Sequence, residues 1–151
     1  MIEPGDVFSI GVPSGSAYFQ YVSKTKPMGS LIRVFPTVFS DPPTDWRALT
    51  ESETNFWVFF SVSDALKKGI VRKEVHCPLP EHARAMPVFR NGNVAPATGK
   101  VDVWWFWDGE KSWKVGALND EQRRMPILGA WNDVMLRDRI EQGWLPERDP
   151  R

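Results

Sequence analysis

The chain has one cysteine, Cys77, and two histidines, His76 and His82, in 151 residues. A lone cysteine forms no internal disulfide. The N-terminal stretch Met1-Ile2-Glu3-Pro4-Gly5-Asp6 is acidic and broken by Pro and Gly, so it lacks the basic and apolar regions of a secretion signal. A cytoplasmic location is therefore expected, in a reducing environment. No long apolar run follows, and no membrane partner is expected. Charge of one sign is missing too: 19 basic residues cancel 19 acidic ones. That balance gives no electropositive footprint, and nucleic acid is not an expected partner.

Catalytic signatures are also scarce. A closed zinc site needs four ligands, and beyond His76, Cys77 and His82 there is no further Cys or His, so neither a metal nor a cofactor is expected. Cys77 with His82 as base defines no geometry by itself. The G-x-S-x-G elbow, the phosphate loop, the dinucleotide fingerprint and the H-E-x-x-H helix are all missing. Some carboxylate pair always remains among 19 acidic residues, but solvated surface charge is their ordinary role. The chain is read as a binding protein and not as an enzyme.

What is present is the composition of one globular domain spanning residues 1–151, 42% hydrophobic and 25% charged. Asp6 to Ile10 alternates polar with apolar, Pro13-Ser14-Gly15-Ser16 supplies a turn, and Ala17 to Val22 completes a hairpin. Leu31 to Phe35 predicts a third strand whose far end Pro36 limits to an edge or an exit. Phe56 to Phe60 is a continuous apolar run, as expected of a central strand buried on both faces. Ser63 is placed to cap a short helix closed by Gly69, and Val71 to Val75 follows as a strand. Arg90-Asn91-Gly92-Asn93 reads as a turn. Val101 to Trp107 and Ser112 to Val115, joined through Asp108-Gly109, carry a strong hairpin signal. The chain then turns helical from Asn119 or Asp120, with Ile127, Trp131, Val134 and Met135 at helical spacing in a segment over 127–142. The predicted class is α+β: a strongly twisted, mainly antiparallel sheet, open to curling into a partial barrel at the N-terminus, with the C-terminal helix packed on it.

Two features could carry binding. Eight tryptophans stand out, and alternation puts Val101, Val103, Trp105 and Trp107 on one face of their strand, with Asp102, Trp104 and Phe106 on the other. Such rings ordinarily fill a core, although an exposed one stacks on sugars or anchors a protein interface. The second feature is the segment 41–53, where Asp41, Asp45, Glu51 and Glu53 surround Trp46 against Arg47 alone. An aromatic ringed by acid suits a basic partner, whose encounter it would speed. Those five residues are the candidate contact surface.

Three segments together resemble the immunity protein 26 family of bacterial polymorphic-toxin systems: Gly5-Asp6-Val7-Phe8-Ser9-Ile10, Ala65-Leu66-Lys67-Lys68-Gly69 and Arg139-Ile140-Glu141-Gln142-Gly143-Trp144. They touch both ends and the middle of the chain. The tryptophan-dense 101–113 stretch has no clear place in that pattern. The resemblance implies a protein that binds and neutralises a cognate toxin, with no catalytic residue of its own. It also implies that the matching residues are scaffold and not interface. The alternative from composition is a tryptophan-rich carbohydrate or small-molecule binding module.

Overall fold

Polar-apolar alternation after Asp6 becomes a hairpin of β1 (Asp6–Val12) and β2 (Gly15–Thr25), with Phe8 opposite Phe19 and Ile10 opposite Ala17. In the computed structural model, which describes residues 1–151, β3 (Gly29–Val34), β4 (Phe56–Phe60) and β5 (Val71–His76) join this hairpin. With a two-residue β9 (Ala130–Trp131) they form one open sheet in the order β5-β1-β2-β3-β4-β9. All its pairs are antiparallel except β4 with β9. β5 and β9 remain as edges, so the sheet does not close into a barrel. A second antiparallel sheet holds β6 (Phe89–Asn91), β7 (Trp104–Trp107) and β8 (Ser112–Gly116). The helices are α1 (Trp46–Glu51), α2 (Val62–Lys67) and α3 (Asp133–Glu141). The fold is α+β, and no helix is long and apolar enough to cross a membrane.

Side-chain parity divides the core. On one face of the large sheet, Phe8, Phe19, Ile32, Val34, Phe56 and Val58 meet Val62 and Ala65 of α2 and Leu136 of α3. The other face carries two smaller clusters. Val7, Tyr18 and Phe35 pack against Trp46 and Leu49 of α1, while Leu31 and Phe59 pack against Phe89 and Trp107 of the small sheet. β4 is thus buried on both faces as its composition predicts, although it lies next to the edge and not at the centre.

Four local expectations change. The helix expected over 127–142 begins only at Asp133, where the Asn132 side chain accepts from the Met135 amide at 2.8 Å. Ahead of it the chain is extended: the Arg90 amide donates to the Pro126 carbonyl, the Leu128 amide to that of Arg90, and the Phe59 amide to that of Gly129. Pro126 and Gly129 are poor helix formers, and the open backbones of β6 and β4 offer better partners. This segment therefore ties the two sheets together. Upstream, only a 3-10 turn at Gln122–Arg124 is helical. Arg90 and Asn91 are strand residues, not a turn, because β7 pairs with them. Ser61, not Ser63, occupies the N-cap position of α2, and its side chain makes no capping bond.

Candidate functional site

The acidic segment is built around α1, a helix of six residues that is too short to persist by itself. Asp45 caps its start, accepting from the Ala48 amide at 3.0 Å. Arg33 secures its end. This β3 residue is fully buried and donates to the Thr50 carbonyl at 3.0 Å, the Ser52 carbonyl at 2.6 Å and the Thr54 hydroxyl at 2.8 Å. Carbonyls at a helix end have no intrahelical partner, and a cation suits the negative end of the dipole. Arg33 also bonds the Gln20 side-chain oxygen, while Gln20 Nε2 donates to the carbonyls of Gly5 and Cys77. One polar network thus pins α1, the N-terminal loop and the exit of β5 to the sheet. Burial pushes the Arg33 pKa down to about 10, since its acceptors are neutral and no carboxylate bonds it.

The candidate contacts take distinct places on this platform. Asp41, Asp45, Glu51 and Glu53 are all exposed. Asp45 is partly engaged as the cap, and Glu51 pairs with exposed Arg47 at 3.0 Å. Trp46 is half-buried, its ring edge-on to Tyr18 with centroids 5.2 Å apart, so it anchors α1 while leaving part of its surface open. α1 stands as a ridge between two clefts, one of about 380 Å³ against Pro36, Phe39 and Pro43, the other of about 430 Å³ against Cys77, Leu79 and Arg84.

Cys77 and the histidines are held in structural contacts. His82 Nε2 lies 3.2 Å from the Glu51 carbonyl oxygen, and the Cys77 carbonyl accepts from Gln20. Glu3, Asp6 and His76 bring potential ligand atoms within 4.8 Å of one another. Lys73 Nζ sits 3.3 Å from the Asp6 carboxylate, so a cation already occupies that electrostatic position. Burial alone would raise the Asp6 pKa, but the Glu3 amide, His76 and Lys73 outweigh it and hold the carboxyl below its ordinary value.

No family model, curated protein or solved structure matches this chain. The segments that resemble the immunity family can still be placed. Gly5 precedes β1 at a positive φ of 103°, where a Cβ would run into the Cys77 carbonyl oxygen. Gly143 closes α3 at a φ of 67°, and Trp144 after it packs edge-on against Phe56 and Trp131. Of the middle segment only Ala65 enters the core, while Leu66, Lys67, Lys68 and Gly69 are exposed at the end of α2.

The tryptophans divide by position. Trp104 is 3% exposed beneath the Arg90 guanidinium, and Trp107 is half-buried against Phe59 and Phe89. Trp105 and Trp113 are open, at 42% and 39%. They are not neighbours on one face: pairing puts Trp113 beside Phe106 and Trp105 opposite Lys114. Strand alternation predicts their faces, but not which end of each strand extends past its cover.

Proposed function

We propose that this protein is an immunity protein that binds and neutralises a bacterial protein toxin without catalysis, using the acidic ridge at 41–53. The observation that carries this is the ridge itself, where exposed Asp41, Asp45, Glu51 and Glu53 face solvent against Arg47. Asp45 caps and Glu51 ends the helix α1, whose C-terminal carbonyls are pinned from beneath by buried Arg33, while Asp41 and Glu53 flank it. A preorganised acidic surface loses little entropy on binding and steers a cationic partner into register. The half-exposed Trp46 ring adds an aromatic anchor of the kind that dominates interface energetics. The three resembling segments supply the family expectation, and the basic contact surface expected of the toxin follows from the ridge's charge.

The test is co-expression with the toxin encoded beside this gene. Cells survive with the native protein, and purified toxin captures it. Reversing three charges, Asp41→Lys, Glu51→Lys and Glu53→Lys, slows association by about tenfold or more at low salt. Host death despite co-expression, or an unchanged association rate in the triple variant, would overturn the proposal.

A further inference from the structure

We infer that the small sheet carries a binding site for a neutral saccharide, with Trp105 as its stacking platform. A cleft of about 460 Å³ opens where the chain leaves β6 and approaches β7, lined by Asn91, Asn93, Asp102, Val103, Trp105 and Ser112. Its floor is fixed by contact. Gly92 lies so close to the 101–103 backbone that a Cβ there would run into Val101 Cγ1 and sit 3.0 Å from the Val103 carbonyl oxygen. Val94 and Val101 pair as a bridge just beyond, holding the two segments in register.

The lining chemistry selects the ligand class. A pyranose ring offers a flat C–H face that lies on an aromatic ring, with hydroxyls directed sideways to polar groups. Trp105 supplies the ring, and Asn91, Asn93, Asp102 and Ser112 supply donors and acceptors beside it. The side-chain bonds of the neighbouring loops are Thr98 Oγ1 with the Lys100 amide, and Asp108 Oδ1 with the amides of Glu110 and Lys111. Those four polar side chains take no part in them, and all four residues are exposed. Asp102 is the one charged group in the lining, so a neutral sugar is favoured over an acidic one. A protein anchor pocket would instead be expected to carry a largely apolar, charge-depleted centre. The volume is within the range of small-ligand sites and accommodates about one or two sugar rings.

None of these residues belongs to the acidic ridge, so the inference stands apart from toxin binding. The full chain is titrated with cellobiose, maltose and N,N′-diacetylchitobiose, with digalacturonic acid as the anionic comparator, following tryptophan emission and saturation-transfer NMR. At least one neutral disaccharide gives a saturable response. Trp105→Ala weakens it by about tenfold or more, as expected for one lost stacking contact. Trp113→Ala, equally exposed but on the opposite face, leaves it unchanged. Both rings are exposed, so neither variant endangers folding, and circular dichroism verifies this. The inference is overturned if no neutral disaccharide saturates, if the response survives Trp105→Ala, if it is lost equally in Trp113→Ala, or if digalacturonate binds best. Loss of toxin capture in Trp105→Ala with no saccharide response assigns the cleft to a protein interface and overturns it as well.

Discussion

Arg33 shows how a single side chain governs the candidate surface. Replacing it with Met leaves the acceptors of Thr50, Ser52 and Gln20 buried without their donor, and Arg33→Met is expected to cost about 2–4 kcal/mol in urea unfolding. The change also releases α1, so amide exchange across 46–51 accelerates more than exchange in β2 or β3. Arg90 is its counterpart in the small sheet. It is fully buried over the Trp104 ring, with Nη2 donating to the carbonyls of Arg123 at 3.1 Å and Pro146 at 2.7 Å. Four acids, Asp6, Glu74, Asp108 and Asp149, are held below their ordinary values, and the two buried ones show the causes most plainly. Asp149 is buried, which alone would raise its pKa, yet Arg151 and Trp144 Nε1 hold it far below the carboxylate range. Asp6 is likewise lowered. A carboxyl depressed in the folded state stabilises it above the unfolded pKa, and that contribution is lost as pH falls through the folded value. Stability is therefore expected to decline from about pH 4 downwards, and Asp149→Asn, already less stable at neutral pH, shows a shallower decline in thermal melts across that window.

At the level of elements, α1 depends on its ends because six residues supply few internal hydrogen bonds. Asp45→Ala removes the cap bond to Ala48 and is expected to destabilise the helix by about 1 kcal/mol. The measurement is local exchange, because the large sheet does not depend on that cap. The stiff Pro42-Pro43 approach and an Asp at the position before the first helical residue are the local signals for such a helix. The segment after Pro126 was less legible. Ile127, Trp131, Val134 and Met135 fit a helical period, but part of the run lies along β4 and β6, where backbone partners are available. Periodicity counts side chains, and it cannot register an unpaired strand edge elsewhere in the chain.

For the whole molecule, the large sheet separates two differently built layers. The α2 and α3 side is a continuous apolar cluster, whereas the α1 and small-sheet side is divided around the polar network of Gln20 and Arg33. That division lets the acidic ridge and the Trp105 cleft sit on separate supports. Association with a basic toxin is expected to slow with added salt, because steering by exposed carboxylates is screened over about 8–10 Å at physiological ionic strength. Stopped-flow rates between low and high salt measure this. A salt-independent rate would remove the acidic ridge from the encounter.

By itself the sequence determined the α+β class, the N-terminal and tryptophan-rich hairpins, the buried run at 56–60 and the acidity of 41–53. These follow from local periodicity, turn residues and charge, all carried by neighbours in the chain. The tertiary structure alone decided that Arg33 and Arg90 are interior pins, that 126–131 is an extended segment bonded to both sheets and ending in the short β9, and that Trp105 is open while Trp104 is buried. Each of those depends on which distant backbone or ring lies opposite, and contacts of that kind leave no period in the sequence.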